Sequence, residues 1–293
     1  MSAIAVADAA GYANAARTQY LTAGETRFAF REFGAPGGVP LVLCQRFRGT
    51  MDDWDPLFLD TVAAERRVVI FDNAGVGRSS GECPSAIAGM AEHAQAFIRA
   101  FGADQVDVLG WSMGGAVALA LAIAHPDLVR RLVIAASGPG SIPGAKSMSD
   151  EVRQAATKPV NDDQDFLFLF FDGSERRRAA GRAYLARLHH RAEPPGPPTR
   201  LATVQSMALA LRGWRVGGEG VYARLGEIGK PVLVATGAHD VMVPAGDSFA
   251  ILEQLPNAEL VVYADGGHGF LFQHAKRFGT HVSQFLASPD GGP

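Results

Sequence analysis

The chain is poor in cysteine: its 293 residues include two, Cys44 and Cys83. Two thiols build neither a disulfide framework nor a thiolate metal site. Cys44, at the end of an apolar run, reads as a small buried residue. The chain also lacks a charge excess of either sign. Lys and Arg total 27 against 30 Asp and Glu, for a net charge of −3 and a pI of about 6.2. That balance supplies no basic field for nucleic acid, and no block of like charge forms an interaction tail. The short run Arg176-Arg177-Arg178 reads as a solvated helix face. No apolar stretch reaches the roughly 20 residues that span a bilayer. The alanine-rich start lacks a basic opening and carries Asp8, unlike a signal peptide. The histidines are scattered without metal-ligand spacing. The expectation is a cytoplasmic protein with no cofactor and no metal. Its expected partner is a small-molecule substrate, with no nucleic acid and no membrane, and a homodimer is left open.

What is abundant is apolar side chain, 47% of the total, enough to bury a large core. Short continuous apolar runs recur at Leu41–Cys44, Val68–Phe71, Val106–Leu109, Leu132–Ala136, Val232–Ala235 and Leu260–Tyr263. Such runs fit strands covered on both faces. An alternating segment, Thr26 to Phe33, fits an early strand at the sheet edge. Helical segments are expected near 55–65, 86–101, 113–124, 245–254 and 271–286. Strands alternating with helices predict an α/β fold, a mostly parallel sheet with helices on both faces. The alternation fails between Ser137 and about Gly229, where a phenylalanine-rich run, an Arg/Ala-rich helical run and a proline cluster follow one another. This predicts a core over 19–140 and 216–293, an inserted helical lid over 141–215, and a loose N-terminal extension over 1–18.

Residues 110–114 read Gly-Trp-Ser-Met-Gly, between the run Val106–Leu109 and helix-forming Gly115 to Ala122. A strand feeding a helix through so tight a turn puts Ser112 in a strained, exposed position, and the flanking glycines leave room for the crossing backbones. A serine hydroxyl needs a base, and the base an orienting acid. Asp240 follows the strand Val232–Ala235, where catalytic groups gather in open α/β sheets. His268 lies in a glycine-rich turn after the next strand. The order Ser, Asp, His is that expected behind an elbow serine. Asp265, three residues before His268, is the competing acid; a carboxylate at a loop tip is more often solvated. His239 is expected to point away, His125 to close the elbow helix, and His189 and His190 to lie on a solvated helix face.

On these residues the chain resembles the α/β-hydrolase superfamily, in its lidded branch of esterases, cofactor-free haloperoxidases and related enzymes, from about residue 20 to 287. The segment Asp72-Asn73-Ala74-Gly75-Val76-Gly77-Arg78-Ser79 is similar to the family's Asp-x-x-Gly-x-Gly-x-Ser turn, with Asp72 as a structural hydrogen-bonder. The resemblance implies an oxyanion hole built from the N–H groups of Met113 and Phe47. Most relatives carry His-Gly where this chain has Gln45 and Arg46. Arg46 and Arg48 either reach solvent or pair with Asp52 and Asp53, or they bring a guanidinium to the pocket for a carboxylate, enolate or phenolate substrate.

The implied function is hydrolysis of an ester or lactone of a small to medium apolar substrate through an acyl-enzyme. Substrate-binding candidates are Arg46, Trp111, Phe168, Phe170 and Trp214; the aromatic ones alternatively pack the lid onto the body. The same scaffold also carries carbon–carbon bond hydrolysis, cofactor-free oxygen chemistry and non-catalytic ligand receptors. Dehalogenase chemistry is disfavoured, because relatives that displace halide need a carboxylate where Ser112 stands.

Overall fold

The computed structural model describes residues 11–144 and 148–289. An eight-stranded sheet forms the centre, in the order β1-β2-β4-β3-β5-β6-β7-β8. The strands are β1 (Gln19–Ala23), β2 (Thr26–Gly34), β3 (Leu41–Cys44), β4 (Arg67–Phe71), β5 (Val106–Trp111), β6 (Val129–Ala135), β7 (Val232–Gly237) and β8 (Ala258–Tyr263). From β4 to β8 every neighbouring pair is parallel, while β2 is antiparallel to both β1 and β4. The apolar runs behave as continuous apolar runs should: β3 and β5 are buried at every position.

Helices cover both faces: α1 (Tyr12–Ala15), α2 (Pro56–Ala63), α3 (Ile87–Ala100), α4 (Met113–Ala124), α9 (Ala245–Gln254), α10 (Phe270–Gln273) and α11 (Ala275–Ala287). Two apolar clusters result, one on each side of the sheet. One gathers α3, α4 and the strand residues Val42, Val69 and Val108; the other gathers α2, α11 and Leu43, Ile70 and Leu109.

Three expectations are corrected. The strand from Thr26 is not at the edge, because β1 pairs outside it through a two-residue turn with Gly24 at φ +57°. Gln-Tyr-Leu-Thr-Ala is mostly exposed and carries no apolar run, so the sequence pattern gave no sign of it. The expected loose extension is docked over its described part. Ala13 is buried, and its N–H donates to Asp60 Oδ1 at 2.8 Å. The first ten residues of that extension lie outside the described residues. The expected helix over 271–286 is two helices, broken at His274.

Between β6 and β7, four α-helices are present among the described residues, α5 (Asp150–Ala156), α6 (Asp163–Phe171), α7 (Glu175–Leu188) and α8 (Leu201–Val216), followed by a 3-10 helix, Tyr222–Glu227. Serine or aspartate caps begin three of them, at Ser149, Asp162 and Ser174. This inserted segment is fastened to the body by buried polar contacts. Arg187 bonds both oxygens of Asp55, at 2.8 and 2.5 Å, and Arg191 pairs with Asp52 at 2.7 Å. The Thr203 hydroxyl donates to the Gly75 carbonyl at 2.8 Å.

Candidate active site

Ser112 sits between β5 and α4 at φ 56°, ψ −120°, outside the regions an L-residue normally occupies. Such strain persists only where the surroundings over-determine it, and here the flanking glycines allow it. A Cβ on Gly110 would lie 2.2 Å from the Gly114 carbonyl oxygen, and one on Gly114 only 2.0 Å from that of Cys44. The backbone of the elbow therefore crosses β3 at a separation no larger residue permits.

Three expected residues meet. His268 Nε2 lies 3.0 Å from Ser112 Oγ, and His268 Nδ1 lies 2.7 Å from Asp240 Oδ2. With the ring proton on Nδ1, facing the carboxylate, Nε2 is free to accept from the serine hydroxyl. The other Asp240 oxygen accepts from the N–H groups of Met242 and Val243, at 2.9 and 2.8 Å. Asp240 is thus held from both sides, and His268 is almost wholly buried. The competing acid, Asp265, faces elsewhere: it pairs with His274 at 3.0 Å and Arg176 at 3.4 Å. His239 is exposed, as are His189 and His190. His125 closes α4 and contacts Glu92 at 2.9 Å.

The N–H of Phe47 has no acceptor among the described residues. Met113 begins α4, where an N–H has no partner within its own helix. Met113 adjoins Ser112, and Phe47 lies two residues beyond Gln45, whose carbonyl stands against Gly114 of the elbow. Asp72 accepts from the N–H groups of Met51 and Arg78, at 2.7 and 2.9 Å. Burial pushes its carboxyl up to about 6, against the pull of those donors. It braces the turn beside the site from a distance.

The aromatic candidates are distributed differently from expectation. Trp111 is fully buried beneath the site; its Nε1–H donates to the His268 carbonyl at 3.2 Å, and its ring lies 5.8 Å from the imidazole. Phe170 packs 5.3 Å from the same imidazole and 4.2 Å from Phe166. Its carbonyl accepts from Gly269 N–H at 2.8 Å, tying α6 to the loop that carries His268. Trp214 is buried and donates to the Gly138 carbonyl at 3.0 Å. Phe168 is half-buried against the core on the α2 side. Trp111 and Trp214 are both buried, and neither is among the residues that line the cavity at the elbow. That narrow cavity is lined by Cys44, Gln45, Arg46, Met113, Val117 and Met207 among others. Burial pushes the Cys44 thiol up to about 12, so the group stays neutral there.

The two arginines part company. Arg48 adopts φ +63° and reaches the inserted segment, donating to the carbonyls of Lys158 and Pro159 and to Asn161 Oδ1. Arg46 turns inward, 3.4 Å from Asp53 Oδ1, with its side chain 13% exposed. Asp52, the other expected partner, is taken by Arg31 and Arg191. The pairing of Arg46 with Asp53 is among the alternatives the sequence left open, whereas the Gln45 bonds beside it and the α6–Gly269 link escaped sequence reading, because nothing in residue spacing reports them.

A family profile described as alpha/beta hydrolase fold matches residues 39–275. The 2-hydroxymuconate semialdehyde hydrolase of Pseudomonas putida is 32% identical over 237 residues, covering 77% of this chain and 78% of that protein. The pimeloyl-[acyl-carrier protein] methyl ester esterase of Nitrosomonas europaea is 32% identical over 180 residues, covering 58% of this chain and 67% of that protein. Among solved structures, an alpha/beta hydrolase fold protein from Chitinophaga pinensis superposes with a TM-score of 0.87 at 33% identity, over 95% of this chain and all of that one. No helix among the described residues is long and apolar enough to cross a membrane. With its sheet order, its serine elbow and a profile match over most of its length, the chain belongs to the alpha/beta hydrolase fold family and is an α/β-hydrolase enzyme.

Proposed function

We propose that the protein is a serine hydrolase that cleaves an ester or lactone of a small to medium apolar substrate through an acyl-enzyme. The observation that carries this reading is the hydrogen-bonded chain from Ser112 through His268 to Asp240, mounted on a strained elbow. In this reading His268 Nε2 takes the Ser112 proton as the oxygen attacks the substrate carbonyl. The N–H groups of Phe47 and Met113 receive the charge that develops on the carbonyl oxygen. His268 then passes its proton to the leaving alkoxide, the ester bond breaks, and the acyl group remains on Ser112. Water, losing a proton to His268, attacks the acyl-enzyme; the bond between acyl carbon and Ser112 Oγ breaks, His268 returns the proton to Oγ, and the acid is released. Asp240 keeps the imidazole in its working tautomer and stabilises the imidazolium. The inserted helices act as a lid, and the cavity under Met207 receives an apolar arm of the substrate.

Carbon–carbon bond hydrolysis is the second reading, favoured by the 32% identity to a semialdehyde hydrolase. The test is purified protein assayed against p-nitrophenyl esters of graded chain length, a lactone panel and a vinylogous 1,5-diketone. Ester or lactone turnover with a stoichiometric burst of p-nitrophenol supports the first reading. Turnover confined to the diketone supports the second. Neither activity in folded protein contradicts both.

A further inference from the structure

Gln45 and Arg46 form a closed brace. Gln45 Oε1 accepts from the Arg46 N–H at 2.8 Å, and Gln45 Nε2 donates to the Thr50 carbonyl at 3.0 Å. The Gly49 N–H closes a turn on the Arg46 carbonyl at 3.1 Å. Arg48, third in that turn, is left-handed, whereas Phe47 is not. The turn is therefore of type II, in which the middle peptide is flipped relative to the commoner type I form. An arginine in the left-handed position is strained and persists only where its surroundings hold it: the Arg48 N–H of the middle peptide donates to Met207 Sδ at 3.3 Å, and the Arg48 carbonyl accepts from the Thr199 hydroxyl at 2.8 Å. The carbonyl of that middle peptide belongs to Phe47, and Arg46 Nη1 donates to it at 2.9 Å.

The guanidinium is itself boxed. The rings of Trp111, Phe166 and Phe170 lie 5.6, 5.5 and 5.2 Å from its central carbon, within cation–π range. Asp53 stands at 3.4 Å and shares a capping box with Thr50, so it anchors the far end of the same loop. Trp111 and Phe170 also flank the His268 imidazole. One side chain thus touches the loop that presents the Phe47 N–H, a residue of the inserted segment and both rings that seat His268.

We infer that Arg46 is a positioning residue: by bonding the Phe47 carbonyl its guanidinium closes a ring that contains the Arg46–Phe47 peptide, so that the Phe47 N–H in that peptide stays directed at the oxyanion. This rests on the serine hydrolase reading above. A pin of this kind acts on the transition state of every substrate alike, since it serves the oxyanion and not a particular acyl group. A substrate-reading arginine would act on anionic substrates only.

The test compares wild type, Arg46→Ala and Arg46→Lys on a neutral p-nitrophenyl ester and on an ester bearing a carboxylate, with and without added methylguanidinium. In Arg46→Ala, kcat is expected to fall about 10- to 100-fold on both esters, short of the roughly 10²–10³ lost when a donor is deleted outright. KM should stay within about twofold, as for an interaction made only in the transition state. Methylguanidinium should restore part of kcat in Arg46→Ala and leave wild type unchanged. Arg46→Lys, which keeps the charge and one donor but not the fork, should fall between. If Arg46→Ala does not fold, the Arg46→Lys values carry the test. Unchanged kcat on both esters overturns the inference. So does a rise in KM confined to the carboxylate ester, which would make Arg46 an anion reader, or a kcat loss without rescue. Failure of the underlying reading looks different: wild type itself would neither hydrolyse the esters nor react with a fluorophosphonate.

Discussion

Replacing Asp240 with Asn should leave the fold intact and remove nearly all activity, and the geometry says why. Asp240 Oδ1 accepts two backbone N–H bonds, from Met242 and Val243, while Oδ2 faces His268 Nδ1. An asparagine must keep its carbonyl oxygen toward those two donors, because its NH2 group accepts nothing. The NH2 is then forced toward His268 Nδ1, which has to become the acceptor. The ring proton moves to Nε2, and the imidazole loses the lone pair that would take the Ser112 proton. The wrong tautomer of a similar triad costs about 10⁴ in kcat, or roughly 5.5 kcal/mol of barrier. Each of the three hydrogen bonds survives in altered form, so thermal stability should move little. Asp240→Ala, by contrast, strands the buried His268 Nδ1–H, at about 1–3 kcal/mol, and the part-buried N–H groups of Met242 and Val243 as well, and should melt lower. The assay is kcat/KM on the best ester found, with a melting curve for each variant. An Asn variant within tenfold of wild type would refute the reasoning. So would Asp265→Asn proving the crippling change.

Gly114→Ala should destabilise the protein by at least about 1–3 kcal/mol, the usual cost of overpacking, since its Cβ would meet the Cys44 carbonyl at 2.0 Å; an unchanged denaturation midpoint would contradict the close crossing of elbow and β3. Asp72 should give the stability a specific pH dependence. Its native pKa, about 6, lies above the ordinary 3.8, so the folded state holds this proton more tightly and stability falls as pH rises from about 4 to 6. The loss is about 3 kcal/mol at most, and the gap between wild type and Asp72→Asn in denaturant titrations should change by that order across the window; a constant gap would refute it. Phe170→Ala should cost about 3–5 kcal/mol, as for a buried ring, with chain-length preference unchanged, because the ring packs on Phe166 and His268. Preserved stability with altered preference would make it a pocket wall.

The parts of this molecule legible in its sequence are those written in local pattern. The apolar runs marked six strands; β3 to β7 are buried at nearly every position, since a strand covered on both faces has no polar position to hide in, whereas β8, expected to be buried likewise, is the sheet's edge and buries Tyr263 alone. Gly110 and Gly114 marked the elbow because steric crowding there admits nothing else. Asp240 and His268 were found from strand ends and chain order, and the fold brings them together. What escaped depends on three-dimensional neighbours. Strand β1 is an exposed edge whose composition matches a loop. Trp111 looked like a pocket residue at the variable position of the elbow, but β5 is buried on both faces, and the side chain faces inward against Trp54 and Phe272. The fates of Arg46 and Arg48 were left open because adjacent turn residues with the same charge diverge only once the turn type is known.

The central claim is that Ser112 is the nucleophile. Treatment with a fluorophosphonate, followed by mass spectrometry of the digested protein, tests it most directly. The account predicts one adduct, on the peptide carrying Ser112, absent from Ser112→Ala and much slower to form in Asp240→Asn and His268→Ala. Labelling of Ser112→Ala at the wild-type rate, an adduct on another residue, or no adduct in folded protein would contradict it.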